Sequence, residues 1–284
     1  MASVRDIRNH IRSVTSIRKI TKTMEMVSAA RMHKATAALF ASRPYARLAW
    51  KLLLDLSLKT EPDLHPLLQS RPVKNALIVL VTSDRGLCGS FNINVIHRAL
   101  ENVTDRGHCQ FVAVGKKGRD FLIRRGYQVI AEFAGLPAPV PFIQILPIGQ
   151  LVTEEYRKAA VDRVSIVYSR FVSNLIGQPS VLDLLPLKQA SHEPDVPASF
   201  IYEPSAQEVI APLVSRIIEY EIYAAMLEAQ ASEFSARMVA MKNATDNAQD
   251  LISELVLSYN RVRQENITKE LTELSTARAV IEQV

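Results

Sequence analysis

The C-terminal part of the chain carries apolar residues spaced alternately four and three positions apart. The repeat begins at Leu213 and runs for seven heptads to Val262, with Thr245 as its one polar member. A 4,3 repeat of this length predicts a long helix that buries one stripe against another helix, as in a coiled coil. Its members are Leu213, Ile217, Tyr220, Ala224, Leu227, Ala231, Phe234, Met238, Met241, Thr245, Ala248, Ile252, Leu255, Tyr259 and Val262.

Two looser apolar stripes accompany this repeat. After Val262 the phase breaks, and Ile267, Leu271, Leu274 and Ile281 continue an apolar stripe on a shifted face. Large heptad side chains left in water would forfeit about 1.5 kcal/mol or more each, so we expect the C-terminal helix to pack antiparallel against an N-terminal helix. The N-terminal stripe drifts around its helix and consists of Ile7, Ile11, Val14, Ile17, Ile20, Met24 and Val27.

Between these helices, short apolar runs alternate with amphipathic segments. This alternation predicts a small, Rossmann-like α/β domain with a partly parallel sheet. Strands are predicted at 76–82, 110–115, 127–133, 163–172 and 180–188, helices at 93–103, 117–126 and 150–161, and connections at 136–149 and 192–204.

The helix-breaking residues agree with this division of the chain. All fourteen prolines and nine glycines lie between Pro44 and Pro212. We therefore predict an α/β protein with an N-terminal coiled-coil helix over 1–60, a central α/β domain over 70–205 and a C-terminal coiled-coil helix over 206–284.

The two ends of the chain carry opposite net charges, which the overall net charge of +5 does not reveal. Residues 1–51 hold eleven basic and two acidic residues, a net charge of +9, whereas residues 213–284 hold seven basic and eleven acidic residues, a net charge of −4. The two ends therefore attract each other, or each attracts a partner. A basic helix also leaves nucleic-acid binding open as an alternative, although no aromatic residue precedes Phe40. Without a run of eighteen apolar residues, no membrane span is expected.

The segment SDRGLCGSFN, residues 83–92, is the strongest candidate for chemistry, because it lies between a predicted strand and a predicted helix. Its glycines could cradle a phosphate, but neither phosphate-binding glycine motif is present, which favours a tight turn. Cys88 would need a histidine base to act as a nucleophile, and no histidine lies at an informative spacing. Cys88 and Cys109 form no C-x-x-C pair, so we expect two reduced thiols. We predict no catalytic site, no cofactor and no metal site.

Long stretches of the sequence resemble the gamma-subunit family of F-type ATP synthases. The resemblance covers essentially the whole chain in the family's order. It rests on IRNHIRSVTSIRKITKTMEMVSAARM (7–32), SRPYA (42–46), SDRGLCGSFN (83–92), YEPSAQEV (202–209), SEFSARMVAMKNATDNA (232–248) and YNRVRQENITKELTEL (259–274).

This resemblance implies a rotor rather than an enzyme. The terminal helices would form an asymmetric antiparallel coiled coil inside a ring of three alpha and three beta subunits, which carry out the chemistry. The central domain would lie below that ring, with the epsilon subunit and the membrane ring of c subunits. Proton flow would turn the c ring and the shaft with it.

The resemblance also implies roles for eight residues. Met24 would face the acidic lever segment of the beta subunit, and Arg263 with Gln264 would hydrogen-bond its catch loop. Arg237 lies in the matching ARMVAM segment, which we expect close to Met24. Leu274 and Ile281 belong to the apolar tip held in the bearing, and Tyr202 with Glu203 fall near the foot that meets the c ring.

Some features depart from the family pattern or bear on location. The segment STAR (275–278) replaces the small, glycine-containing tip of the family and places the cation of Arg278 there, and the regulatory dithiol insertion of chloroplast forms is absent. With no transit peptide evident, we expect a peripheral protein on the cytoplasmic face of a bacterial plasma membrane, with an organellar inner membrane as the alternative. A free-standing coiled-coil protein that is structural or binds nucleic acid is the competing function.

Overall fold

The computed structural model describes residues 4–59, 67–69, 71–103, 105–173, 177–187, 203 and 205–281. The chain divides into two compact units. Unit 1 is Met1–Val27 with Met238–Val284, and unit 2 is Ser28–Arg237. Each unit contains part of both terminal segments, and the sequence-based division into three domains stays a prediction.

Two long helices form the ends of the chain. Helix α1 (Val4–Lys59) has 56 residues and helix α5 (Ala206–Ile281) has 76, which corresponds to about 84 Å and about 114 Å of helix. Helix α1 continues through Pro44, although proline removes one backbone hydrogen bond. Leu39 and Ala49, on either side of Pro44, are buried in the core of unit 2, so packing holds the helix on both sides of the break.

Unit 2 contains a five-stranded sheet in the order β3-β2-β1-β4-β5. Strand β1 pairs in parallel with β2 and β4, β2 pairs in parallel with β3, and β5 runs antiparallel to β4. This confirms the predicted partly parallel sheet. The strands are β1 (Ala76–Val81), β2 (Cys109–Val114), β3 (Gln128–Phe133), β4 (Arg163–Phe171) and β5 (Gly177–Leu185).

Within the described part of the chain, three shorter α-helices connect the strands. They are α2 (Phe91–Glu101), α3 (Lys116–Arg124) and α4 (Leu146–Arg157). Helix α4 begins inside the stretch that the sequence predicts as a proline-rich connection. Pro147 stands in its first turn, where a missing backbone N–H costs no helical hydrogen bond. Proline therefore marks the start of a helix here and not a loop.

The sheet of unit 2 is buried on both faces, as the unbroken apolar run of β1 predicts. Leu77, Val79 and Val81 of β1 belong to a core shared with α1, α4 and α5. Ile78 and Leu80 point to the opposite face, where α2 and α3 cover them. Among the described residues, no helix holds a stretch apolar enough to cross a bilayer.

Candidate functional site

Unit 1 consists of the first part of α1 and the last part of α5, which pack antiparallel. Arg18 donates a hydrogen bond to Gln249, and one turn further along α1 the hydroxyls of Thr21 and Thr245 are 2.8 Å apart. The residue number therefore rises along one helix as it falls along the other. The predicted antiparallel coiled coil is confirmed within this unit.

The heptad repeat of α5 corresponds to its buried stripe in unit 1. Every predicted member from Met241 to Val262 is buried or half-buried, whereas most of the positions between them are exposed. Met241 and Ala248 are the most enclosed, at 5% and 7% exposure. The 3.5-residue period alone was sufficient to find this stripe.

The predicted stripe of α1 is wrong at Ile17, Ile20 and Val27, whose side chains are exposed, whereas Met24 is half-buried. The buried positions are Ile7, Val14 and Thr21, spaced seven residues apart. Ile17 and Ile20 are 52% and 60% exposed. A partner helix with a seven-residue repeat selects positions of the same period on α1, even where one of them is a threonine. The side chains of Ile17, Ile20 and Val27 are thereby left on the surface of unit 1.

The predicted partner-binding residues of unit 1 differ in exposure. Met24 is half-buried, while Arg263 and Gln264 are exposed on α5. Leu274 is 68% exposed, and Ile267 and Leu271 before it are also exposed. The chain itself therefore leaves much of the shifted apolar stripe uncovered, and the partner contacts assigned to these residues stay predictions.

Three predicted residues receive little or no structural description. Tyr202 lies outside the described residues, and the side chain of Ile281, the last residue of α5, is not described either. Glu203 is exposed, in a bend before α5. Their predicted roles at the foot and at the tip stay predictions.

The segment SDRGLCGSFN forms a loop from β1 into α2 that is held by its own side chains. Ser83 donates from its hydroxyl to the Arg85 carbonyl at 2.6 Å, and Asn92 accepts from the Ser83 N–H at 3.0 Å. The amide of Asn92 also donates to the Cys88 sulfur at 3.2 Å. We name residues 83–90 the signature loop. These internal bonds fit the predicted tight turn better than a loop that cradles a phosphate.

Arg237 of α5 binds this signature loop from the side. Its guanidinium donates to the carbonyl oxygens of Arg85 at 3.2 Å and Gly86 at 3.4 Å, and it forms an ion pair with Glu233 at 2.7 Å. Arg237 is only 7% exposed. Its side chain is thus occupied inside unit 2, a role that helical periodicity could not reveal. Its assignment to a partner contact stays a prediction.

Acidic groups surround the carboxyl ends of the parallel strands beside the signature loop. Asp84 accepts hydrogen bonds from the backbone N–H groups of Lys116 at 3.0 Å and Gly135 at 2.8 Å. Asp84 and Glu233 also line a cavity of about 50 Å³, room for a few water molecules. Burial raises the pKa of Glu233, Arg237 lowers it and Asp84 raises it further. A small, acidic cavity is unsuited to a nucleotide phosphate.

The two cysteines are buried and unsuited to nucleophilic chemistry. Cys88 and Cys109 are 2% and 3% exposed, and both are free thiols. Burial raises the pKa of Cys109 to about 11, which keeps it protonated near neutral pH. Within the described ranges, no group of three His, Cys, Asp or Glu side chains is placed to hold a metal ion.

Comparison with known proteins gives one consistent result over the whole length. A family model described as ATP synthase matches residues 3–280. The ATP synthase gamma chain of Desulforamulus reducens is 42% identical over 283 residues, covering 99% of this chain and 100% of that protein. The ATP synthase gamma chain of Herpetosiphon aurantiacus is 38% identical over 295 residues, with 100% of both chains covered.

Two solved structures share the fold. A chain in the OSCP/F1/c-ring structure of the Euglena gracilis mitochondrial ATP synthase has a TM-score of 0.70 and 19% identity, covering 98% of this chain and 94% of that one. A chain in the central stalk/c-ring structure of the Tetrahymena thermophila enzyme has a TM-score of 0.62 and 24% identity, covering 79% and 99%. At these identities the likeness concerns the fold alone.

Proposed function

The chain belongs to the ATP synthase gamma chain family, and on this premise we propose that it is the non-catalytic rotor of the central stalk. Its rotation with the c ring would couple proton flow to ATP synthesis and hydrolysis on the alpha and beta subunits. The observation that supports this proposal most directly is the antiparallel pairing of α1 and α5 in unit 1 along a continuous heptad repeat. A rotor needs such a stiff element, because force passes along it.

The surface of unit 1 supports a rotor whose sides differ chemically. On α1, the exposed Ile17 and Ile20 form an apolar surface. On α5, Arg263 and Gln264 offer hydrogen-bond donors and a positive charge. A shaft with unlike sides presents a different surface to each of three surrounding beta subunits at any moment. The three sites would thus pass through different binding states in turn.

The surroundings of the candidate chemical groups support a non-catalytic role. Asp84 is bound by two backbone N–H groups, Glu233 is paired with Arg237, and Cys88 is enclosed by the signature loop. Groups committed to internal bonds are unsuited to general acid–base or nucleophilic catalysis. We assign the chemistry to the alpha and beta subunits.

The proposal includes a set of partners and a location. The partners are three alpha and three beta subunits around the coiled coil, and the epsilon subunit and the c ring at the central domain, with no nucleic acid. The two structural relatives belong to assemblies that contain a c ring, which supports the last of these partners. We place the protein peripherally on the cytoplasmic face of a bacterial plasma membrane.

The test is gentle purification of the tagged chain from the membranes of its source. We expect an azide-sensitive ATPase that contains two larger subunits in threefold excess over the chain. A strain carrying the tag alone is the control. Recovery of the chain by itself, or bound to nucleic acid with a steep loss of binding in salt, would refute the rotor and favour the competing coiled-coil function.

A further inference from the structure

Arg237 is buried, and its guanidinium binds both Glu233 of its own helix and the signature loop. We infer that Arg237 is a positioning residue that fixes the signature loop to helix α5. Its Nη2 donates to the carbonyls of Arg85 and Gly86 at 3.2 and 3.4 Å, and its Nε lies 3.4 Å from the Gly86 carbonyl. These bonds join residues that lie about 150 positions apart in the chain.

The guanidinium itself is held in place from its own helix. Glu233, one turn earlier on α5, binds Nη2 at 2.7 Å, and the Phe234 ring lies 5.7 Å from the guanidinium carbon. A planar group with five donors can serve a carboxylate and two carbonyls together. The single ammonium of a lysine has neither the fork geometry nor the reach, so the arrangement is specific to arginine.

The signature loop needs such a fixed support because of the residue at its tip. Leu87 has a positive φ of 64°, which is unfavourable for a side chain with a Cβ and persists only where the surroundings impose it. Leu87 is nevertheless 63% exposed, so its own side chain contributes little packing. Ser83 and Asn92 hold the inner side of the loop, and Arg237 holds the carbonyls immediately before Leu87.

The consequence for the rotor rests on the proposed function. The exposed, apolar Leu87 at the end of the signature loop transmits force to a neighbouring subunit only when its orientation relative to α5 is fixed. Arg237 provides that fixed orientation, so the signature loop turns with α5 as one body. Loss of Arg237 would leave the coiled coil of α1 and α5 intact and loosen the signature loop around Leu87.

The two cysteines make this inference testable. Cys88 lies inside the signature loop and Cys109 lies in β2, and both are buried in the intact chain. In the purified complex, maleimide modification of each cysteine would be followed over time by mass spectrometry of its peptide. For Arg237→Ala and Arg237→Lys, we expect Cys88 to react at least about tenfold faster, because the charged hydrogen bonds from Arg237 to the loop carbonyls are lost or weakened, while Cys109 keeps its rate.

Arg31→Ala is the matched control. Arg31 lies over the same Phe234 ring, 5.8 Å from its centre, and its removal should leave both rates unchanged. An unchanged Cys88 rate in the Arg237 variants would overturn the inference. So would equal acceleration of both cysteines, because that reports general loosening of unit 2. If Arg237→Ala yields no complex, Arg237→Lys carries the same test.

A functional measurement separates this inference from the proposed function. In membrane vesicles, Arg237→Lys should lower proton-driven ATP synthesis severalfold more than ATP hydrolysis, because the anchor matters for force transmission and not for chemistry. Full coupling in a variant with a reactive Cys88 would overturn the positioning role. A wild-type preparation without ATPase would instead refute the proposed function, whatever the cysteines show.

Discussion

Thr245 of α5 donates a hydrogen bond to the hydroxyl of Thr21 of α1, with 2.8 Å between the two oxygens. Thr21 donates in turn to the carbonyl of Arg18 at 3.0 Å. Thr21 is buried and Thr245 half-buried, so this polar pair interrupts an otherwise apolar heptad seam. A polar layer in a coiled coil fixes the register of its helices at some cost in stability.

The threonine pair can be tested by a double-mutant cycle. Thr245→Val alone should lower the free energy of unfolding by about 1 kcal/mol, because one hydrogen bond is lost. Thr21→Val with Thr245→Val should be close to neutral, because both partners become apolar. Denaturant unfolding of the full chain, followed by helical circular dichroism, measures both. Strictly additive losses would show that the two hydroxyls do not interact.

Gly115, between β2 and α3, should be the most sensitive glycine at the carboxyl end of the parallel strands. It has a φ of +91°, and a Cβ there would lie 2.2 Å from the Thr82 carbonyl oxygen. We expect Gly115→Ala to cost about 3 kcal/mol or more, since strain and a backbone clash combine.

Gly126→Ala is the control for this substitution. Gly126 has a φ of +75° with no atom within 4 Å of an added Cβ, so only conformational strain of about 1–2 kcal/mol applies. Thermal unfolding of the two variants, measured side by side, compares their losses of stability. Equal losses would mean that the clash with Thr82 is relieved.

Glu228 of α5 has a buried carboxyl oxygen, Oε2, without a hydrogen-bond partner among the described residues. Burial raises the pKa of Glu228 above its ordinary value of 4.5, and Glu221 raises it further. The Phe171 N–H, Arg170 of β4 and Arg43 of α1 oppose this shift. The Tyr168 hydroxyl of β4 forms a hydrogen bond with the carboxyl group, and burial also raises the pKa of Tyr168.

The raised pKa of Glu228 predicts a stability that falls with increasing pH. The protonated carboxyl contributes fully below the unfolded value of about 4.5 and is lost as the pH rises through the folded pKa. Relative to wild type, Glu228→Gln should therefore gain stability between pH 5 and pH 8.5. Urea midpoints at both pH values measure this gain. The exposed Glu101→Gln is the control, and a difference that does not change with pH would contradict the assignment.

Met24 and Met26 offer a matched pair on α1. Met24 is half-buried and Met26 is 56% exposed. If Met24 faces a beta subunit as proposed, Met24→Lys places a new cation there and should lower proton-driven ATP synthesis by about tenfold, equivalent to 1.4 kcal/mol. Met26→Lys should have a smaller effect. Synthesis and hydrolysis in membrane vesicles measure both, and unchanged coupling for Met24→Lys counts against the contact.

Arg263 and Gln264 are exposed and free to reach a partner from the α5 surface. Replacement of both by alanine should reduce ATP turnover of the assembled complex by about tenfold, since a hydrogen bond to a charged group contributes about 1.5 kcal/mol or more. Lys269→Ala, an exposed cation further along the same helix, is the control. Full turnover in the double variant would reassign the pair to solvated surface.

The structural elements of unit 2 were predictable because their signals are local. The run ALIVLV identified β1 as a buried strand, and alternation with amphipathic segments predicted a partly parallel sheet. The start of α4 was missed, because Pro147 signals either a loop or the first turn of a helix. Only the packing of Ile148 and Val152 into the core of unit 2 distinguishes the two.

The sequence by itself determined the two long helices, the α/β alternation and the heptad stripe of α5, because the periods of helices and strands depend only on residues close together in the sequence. It also carried the family resemblance. Tertiary structure alone decided that Ile17 and Ile20 of α1 stay exposed while Thr21 is buried, because the period of α5 selects which positions of α1 it contacts. It alone brought Arg237 to the signature loop, because bonds between residues about 150 positions apart leave no local pattern.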